Sequence, residues 1–296
     1  MKILFIGSAK SSKFLLKKCF DLKLDVVGVC AKKESNNDDF CDLKKYFKLS
    51  DNLSIYAKDI NSYKSYTWIK NKKPDYIFCF GWSQILKKRI IKLAKIMTIG
   101  FHPTELPKNR GKHPIIWSII LGLKKTASTF FVIKDEKVDV GKILSQKKFL
   151  IKKFDDSSSL YNKIIKISSG QLEDIVKKIK TGKSVEFFTK GRSNYWRKRK
   201  IEDGIIDWRM SANSIYNLVR ALSSPYTNAY FYFKDKKIKV LKAKIVKSKN
   251  FSNIAHFEPG KIIKREKLFF NVKCGEGVIS ILKIDRIINF KLNEYL

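Results

Sequence analysis

Histidine, the side chain best suited to acid–base chemistry near neutral pH, is rare in this chain, and two of its three copies share one segment. The histidines are His102, His113 and His256 among 296 residues. The segment 100–114 reads GFHPTELPKNRGKHP and contains three prolines, which restrict the backbone. A stiff loop of this kind can hold a side chain in a fixed position. His102 is therefore the leading candidate for a functional residue, as a base or, when protonated, as a hydrogen-bond donor.

The elements before this loop alternate between strand-like and helix-like patterns. This alternation predicts a Rossmann-like, doubly wound α/β fold with a mostly parallel sheet. The predicted strands cover 3–6, 26–30, 54–57, 76–80 and 97–101, and the predicted helices cover 11–20, 62–70, 84–95 and 157–180. Such sheets bind ligands beyond the carboxyl ends of their strands. Here those ends bring Gly7, Gly81 and His102 to one edge of the sheet.

The second half of the chain has a different texture. Residues 191–207 are polar, basic and punctuated by glycine, which indicates a linker on the surface of the first domain. A short helix at 212–222 precedes alternating runs at 229–233, 238–246, 261–264, 269–272 and 278–284. These runs predict a small antiparallel barrel of OB-like type. The predicted organisation is a catalytic domain at 1–190, a basic linker at 191–207 and an OB-like domain at 208–296.

The net charge of +36 would ordinarily suggest a nucleic-acid ligand. Only nine of the 63 basic residues are arginine, and the lysines are spread over almost every segment. A dedicated nucleic-acid binder more often concentrates them in a patch interleaved with aromatic residues. The sequence therefore favours a generally basic surface with no nucleic-acid partner.

Membrane and metal sites are not indicated either. No apolar run reaches the roughly 18 residues that a membrane helix needs, and the first apolar run is typical of a strand, not of a signal peptide. The five cysteines include no CxxC pair, and no His, Cys or carboxylate cluster has the spacing of metal ligands. We expect a cytoplasmic protein with no membrane partner, reduced cysteines and no metal.

Five segments resemble the formyltransferases that use 10-formyltetrahydrofolate. Residues 101–122, FHPTELPKNRGKHPIIWSIILG, with VDVGKI at 138–143, are similar to the family signature Asn-x-His-Pro-Ser-x-Leu-Pro-x-x-Arg-Gly and its later Asp-x-Gly. FGWSQIL at 80–86 is similar to the folate-lining segment, and 206–208 with 218–226 resemble the opening of the C-terminal barrel. The resemblance implies an enzyme that transfers a formyl group from 10-formyltetrahydrofolate to an amine, with no metal.

The resemblance assigns the catalytic histidine to His102 and the catalytic aspartate to Asp139, facing each other with space between them for the formyl group and the amine. Gly100 stands where the family has asparagine, so the amide that helps to hold the formyl oxygen is missing. Loss of such a donor costs on the order of 3 kcal/mol. Gly100 is expected to leave room for a water or a backbone N–H, with His113 or Ser83 as other donors.

The resemblance also implies two sets of binding residues. Folate would lie along the segment after the fourth strand, between apolar walls. The residues predicted to contact it are Phe80, Gly81, Trp82, Ser83, Ile85, Leu86 and Asp135. The residues predicted to contact the second substrate are Gly7, Ser8, Thr104, Arg110 and Arg199. Of these, Gly7 and Ser8 would meet a diphosphate together with Arg199 or Lys198.

The identity of that second substrate rests on residues 31–43. The family members that act on initiator tRNA have a basic insertion here, whereas this segment carries four acidic residues against two lysines. Carboxylates at that place would repel phosphates. The sequence therefore favours an amino-sugar N-formyltransferase, acting on a UDP- or dTDP-linked 4-amino-deoxy sugar for surface polysaccharide such as lipopolysaccharide. A methionyl-tRNA formyltransferase and a silent paralogue that only binds ligand are the alternatives, and a homodimer stays open as the assembly.

Overall fold

The chain divides into two compact units. The computed structural model describes residues 1–35, 39–183, 186–188, 191–246 and 254–296. The first unit comprises 1–114, 125–150 and 161–197, and the second comprises 115–124, 151–160 and 198–296. Within the described ranges, no helix combines the length and apolar character needed to cross a bilayer.

A seven-stranded sheet forms the centre of the first unit. Its strands are β1 (Lys2–Ile6), β2 (Asp25–Ala31), β3 (Ser54–Tyr56), β4 (Tyr76–Phe80), β5 (Met97–His102), β7 (Lys125–Ile133) and β8 (Ile143–Leu150), in the order β3-β2-β1-β4-β5-β7-β8. The first five are parallel, whereas β7 runs antiparallel to both β5 and β8. The predicted mostly parallel α/β sheet is confirmed, and the β7–β8 hairpin extends it at the edge beside His102.

The helices are α1 (Lys10–Asp21), α2 (Leu43–Tyr46), α3 (Tyr63–Lys72), α4 (Lys88–Ile91), α5 (Pro114–Ile120), α6 (Ser157–Lys180) and α7 (Ala212–Ala221). They include those predicted from the periodicity, one of them much shorter than predicted, together with two short helices, α2 and α5, that were not predicted. The helix predicted over 84–95 is wrong in extent, because only the short α4 forms. The side chains of Gln84 and Asn61 tie 84–87 to the preceding loop in a non-helical conformation, with Gln84 bonded to Lys58 and Ile60. These local amide bonds compete with helical ones.

Both faces of the sheet are buried, as crossover helices require. One face carries an aromatic cluster in which the Phe80 ring stacks on Phe78 at 5.2 Å and meets Phe130 edge-on at 5.3 Å. The opposite face carries aliphatic side chains such as Ile6 and Ile77. Because side chains alternate along a strand, the residues that precede the ligand edge are fixed between two packed layers.

The second unit is built on a five-stranded antiparallel sheet. Its strands are β10 (Ala229–Phe233), β11 (Lys236–Val246), β12 (Ile262–Arg265), β13 (Phe270–Lys273) and β14 (Val278–Ile284), in the order β10-β11-β14-β13-β12. Trp208 is buried there, with its ring 5.3 Å from that of Phe231. The five predicted strands are confirmed, and closure into an OB-like barrel stays a prediction.

Gly7 supplies a test of how closely β1, α1 and β4 approach. A Cβ at Gly7 would lie 2.6 Å from Cβ of Ser12 and 2.7 Å from the carbonyl oxygen of Phe80. We expect Gly7→Ala to lower the free energy of unfolding by about 1–3 kcal/mol, measured by urea denaturation. The matched control is Gly170→Ala in α6, where a Cβ meets nothing within 4 Å. That change should raise stability by roughly 0.5–1 kcal/mol, and equal effects of the two variants would contradict the described packing.

Candidate active site

The end of β5 presents His102 with one ring nitrogen already engaged. The side chain is buried, and its Nε2 lies 2.9 Å from the carbonyl oxygen of Asn109. A carbonyl oxygen can only accept a hydrogen bond, so Nε2 must carry a hydrogen. In the neutral ring Nδ1 is therefore unprotonated, and a proton taken up by His102 goes to Nδ1.

Asp139 faces that nitrogen. Its Oδ2 lies 3.5 Å from Nδ1 of His102 and accepts a hydrogen bond from the backbone N–H of Gly111 at 2.8 Å. The Nδ1–Oδ2 distance exceeds that of an ordinary hydrogen bond. The structure brings the two predicted residues together, but the expected space between them is wrong, because 3.5 Å admits no intervening group. A substrate must approach the pair from the side.

The loop after His102 is held by side chains of the β7–β8 hairpin. Thr129 donates its hydroxyl hydrogen to the carbonyl oxygen of Thr104 at 2.6 Å, and Gln146 Nε2 donates to that of Leu106 at 3.0 Å. Inside the loop, Thr104 Oγ1 donates to the carbonyl oxygen of Asn109 at 3.1 Å. The same oxygen accepts the hydrogen bond from Nε2 of His102. Each such bond is worth about 1 kcal/mol. Together they fix the acceptor that sets the protonation of His102.

The loop that carries Asp139 is equally confined. Asp139 has φ +52°, in the left-handed region that aspartate tolerates better than most residues. Two residues later, a Cβ at Gly141 would lie 1.8 Å from the carbonyl oxygen of Val132, whose N–H donates to the Lys142 carbonyl at 2.8 Å. Only glycine permits this approach of the backbone to β7.

The space beside Gly100 is filled, which overturns the expectation of room for a water or a backbone N–H. A Cβ at Gly100 would lie 2.7 Å from Cζ and 2.9 Å from Cε1 of Phe131, and 3.0 Å from Cδ1 of Ile133. The physical reason is register, because Gly100 pairs with Phe131 across β5 and β7 and paired residues share a face.

A short parallel pairing joins the histidine loop to residues predicted to be a linker. β6 (Arg110–Gly111) pairs with β9 (Tyr195–Trp196), and Asn194 Oδ1 accepts the N–H of Asn109 at 2.9 Å. The first part of 191–207 therefore belongs to the site. Asn109 and Asn194 were missed by sequence reasoning. Asn109 occupies a variable position of the signature, and nothing in the sequence distinguishes Asn194.

Arg110 lies in the same pairing. Its guanidinium stands over the ring of Tyr195 at 5.6 Å, and Nη1 donates to the Tyr195 hydroxyl at 3.2 Å. Its Nε is buried and has no hydrogen-bond partner among the described residues. Arg110 thus braces the loop and keeps one donor for an anion.

The segment predicted to contact folate contains both buried and exposed side chains. The Phe80 ring and Leu86 are buried in the core, whereas Ile85 is 51% exposed. Trp82 is half-buried, and its Nε1 is buried without a partner in the part of the chain that the structure describes. A buried unpaired N–H is costly unless a ligand or water satisfies it. Ser83 accepts hydrogen bonds from two lysines. Lys32 Nζ donates to its hydroxyl oxygen at 3.0 Å, and Lys112 Nζ donates to its carbonyl oxygen at 2.8 Å.

Among the residues predicted to bind the second substrate, Gly7 and Ser8 follow β1, whereas Thr104 and Arg110 follow β5. The backbone N–H groups of Gly7 and Ser8 donate to the carbonyls of Cys30 and Gly81, each at 3.1 Å, so the expected diphosphate contact through these groups would require breaking internal bonds. Asp135, predicted to bind folate, accepts the N–H of Lys137 at 2.9 Å. Arg199 belongs to the second unit. The roles of these residues stay predictions.

Cys79 of β4 lies beside Gly100 of β5. The two residues are register partners across the β4–β5 pairing. Burial raises the pKa of the Cys79 thiol to about 12, and the negative charge of Asp139 adds to the shift. In the described residues, no group of three or more His, Cys, Asp or Glu side chains is arranged to hold a metal ion.

The fold places this histidine–aspartate pair at the carboxyl edge of an α/β sheet. The formyl transferase family model matches residues 1–174, and the model of the formyl transferase C-terminal domain matches residues 198–289. The chain belongs to the formyl transferase family, whose members transfer formyl groups.

Relatives with different acceptors resemble the chain. It is 38% identical over 229 residues to the bifunctional polymyxin resistance protein ArnA of Wigglesworthia glossinidia brevipalpis, covering 77% of this chain but only 34% of that protein. It is 29% identical over 306 residues to the methionyl-tRNA formyltransferase of Caldanaerobacter subterraneus subsp. tengcongensis, covering 100% of this chain and 96% of that enzyme. The N-formyltransferase of Helicobacter canadensis, solved with folinic acid and dTDP-3-aminofucose, superposes with TM-score 0.67 at 16% identity, covering 96% and 99% of the chains.

The thiol pKa values predict how the folded protein reacts with a thiol reagent. At pH 8 a thiol of pKa about 12, such as Cys79 or Cys19, is ionised to about one part in ten thousand. We expect Ellman's reagent to modify the half-buried Cys41 first in native protein and the other thiols only after unfolding. Rapid native modification of Cys79, identified by peptide mass, would contradict the assigned protonation state.

Proposed function

We propose that this chain transfers a formyl group from 10-formyltetrahydrofolate to the amine of a nucleotide-linked amino-deoxy sugar, of the 4-amino type. The proposal rests above all on one observation, the His102–Asp139 pair with Nε2 of His102 engaged by Asn109. That arrangement leaves Nδ1 as the one ring atom that can take a proton.

The reaction needs that atom as a base. The amine nitrogen of the acceptor attacks the formyl carbon, and the nitrogen becomes positively charged as the new C–N bond forms. Its proton passes to Nδ1 of His102, and the bond from the formyl carbon to N10 of the folate breaks with its electron pair remaining on that nitrogen. The carboxylate of Asp139 stabilises the imidazolium at close range. The protonated ring then supplies the proton that the leaving nitrogen takes up.

The oxygen of the formyl group also needs a donor during attack. The side chain missing at Gly100 cannot provide it. Ser83 is a candidate, because its oxygen accepts from Lys32 and its own hydroxyl hydrogen is a donor. Trp82 Nε1 and the pair of lysines at Ser83 suit the anionic and acceptor atoms of a folate.

The acceptor assignment is supported by the segment after β2. Within 31–43, the Asp42 carboxylate accepts the N–H of Lys45 at 3.0 Å and the hydroxyl hydrogen of Tyr56 at 2.9 Å, so its charge is held in place. A fixed carboxylate opposes a phosphate backbone more than a mobile one does. Asp38, also counted in that segment, lies outside the described residues.

The alternative acceptor is initiator tRNA, favoured by the full-length similarity to a methionyl-tRNA formyltransferase. The net charge of +36 would assist it. A silent paralogue is the third candidate, favoured by the glycine at position 100.

The activity test uses a panel of acceptors with 10-formyltetrahydrofolate. Wild-type protein is incubated with UDP- and dTDP-linked 3-amino and 4-amino sugars, and mass spectrometry detects the gain of one formyl group. We expect formylation of a 4-amino sugar, and loss of about a hundredfold or more in kcat for His102→Ala and Asp139→Ala, since a positioned base contributes about 10²–10⁴-fold. His256→Ala is the matched control, because His256 is exposed in the second unit and should leave the rate unchanged.

The tRNA alternative is separated by its salt dependence. A complex with several phosphate contacts loses about 10³–10⁵ in affinity between about 50 and 200 mM salt. Formylation of a sugar nucleotide should change far less over that range. Efficient, salt-sensitive formylation of charged initiator tRNA, without turnover of any sugar, would reject the sugar assignment. Binding of folate with no turnover of either acceptor would identify the silent paralogue.

A further inference from the structure

The ring of Phe131 stands where the side chain missing at Gly100 would begin. Cζ and Cε1 of that ring lie 2.7 and 2.9 Å from the Cβ that any other residue at Gly100 would carry. Real Cβ atoms do not tolerate such distances. A residue larger than glycine at position 100 therefore requires the ring of Phe131 to shift.

The same ring touches both loops of the site. Phe131 is 4% exposed and packs in one cluster with Leu106, which lies in the His102 loop and is 3% exposed. On its other side, Cδ2 of Phe131 lies 3.3 Å from the Cβ that Gly141 would carry, two residues after Asp139. Phe131 thus shares a buried cluster with Leu106 of the His102 loop and lies close to Gly141 of the Asp139 loop.

The pair needs such support, because its members do not hold each other. The 3.5 Å between Nδ1 and Oδ2 is longer than a hydrogen bond of ordinary geometry. Asp139 is fixed by the Gly111 N–H, and His102 by the Asn109 carbonyl. Asn109 and Gly111 both belong to the His102 loop, so the separation of the pair depends on how that loop is held against the Asp139 loop.

We propose that Phe131 is a positioning residue for the formyl-transfer reaction, filling the site of the side chain missing at Gly100 and setting the separation of the His102 and Asp139 loops. The proposal rests on the proposed roles of His102 and Asp139. It also implies that Gly100→Asn, which restores the family residue, lowers kcat, because the new Cβ displaces the ring.

The test is a double-mutant cycle on kcat and on KM for 10-formyltetrahydrofolate. Phe131→Leu and Gly100→Ala should each lower kcat by about tenfold or more with KM changed less than about threefold, since a misplacement of about 1 Å can cost about a hundredfold. The double variant Gly100→Ala/Phe131→Leu should recover most of that loss, because the added methyl group occupies the space that the ring vacates.

Phe130→Leu is the matched control. Phe130 is its neighbour in β7, fully buried on the opposite face against Phe80. Phe130→Leu should lower the free energy of unfolding about as much as Phe131→Leu does. It should leave kcat unchanged at a temperature where all variants are folded. Additive losses in the cycle, or an equal loss of kcat in Phe130→Leu, would overturn the positioning role. If Gly100→Ala does not fold, the comparison of Phe131→Leu with Phe130→Leu decides alone.

A readout that needs no turnover separates this proposal from the proposed function. The amide of Gly111, bonded to Asp139, should exchange its hydrogen faster in Phe131→Leu than in Phe130→Leu or wild type. Unchanged exchange would refute the positioning role even in an active enzyme. Faster exchange in a protein that formylates no acceptor would instead refute the proposed function alone.

Discussion

The carbonyl oxygen of Asn109 decides which nitrogen of His102 can take up a proton. Because it can only accept, it commits the hydrogen of the neutral ring to Nε2 and leaves Nδ1 toward Asp139. The same oxygen receives the hydroxyl of Thr104, and the peptide N–H of Asn109 is held by Asn194. Hydrogen bonds at both backbone groups of Asn109 thus hold the acceptor that fixes which nitrogen of His102 carries the hydrogen.

The β7–β8 hairpin is the platform for that arrangement. Along one face of β7, Thr129 binds the backbone of the histidine loop and Phe131 packs against Leu106, while the β7 backbone at Val132 meets the aspartate loop at Gly141. Antiparallel pairing with β5 puts these residues directly opposite the strand that carries His102. Two loops far apart in sequence are therefore positioned by one strand.

The positive charge is spread over the whole chain, whereas the acidic side chains of residues 31–43 are concentrated in one segment. Lysines spread over the surface attract anions in general and are screened by salt. Lys32 and Lys112 act locally, because both converge on Ser83 beside the predicted folate segment. The Asp42 carboxylate, held by Lys45 and Tyr56 after β2, places a negative charge at one location of this basic chain.

Sequence patterns alone determined the parallel strands, the long helix α6, the five strands of the second unit and the pairing of His102 with Asp139 through the signature they share. Those features depend on local periodicity or on contiguous motifs, which a linear reading detects. Only the tertiary structure decided that Gly100 is closed off by Phe131, that Asn194 belongs to the site and that residues 84–87 are not helical. Each of these depends on contacts between residues distant in the chain. Cross-strand register places Phe131 over Gly100, and β-pairing brings 194–196 to the histidine loop. Side-chain amide hydrogen bonds to the loop at 58–61 outweigh the helical periodicity of 84–87. Such contacts leave no periodic trace in the sequence, because they are set by how the strands and loops assemble.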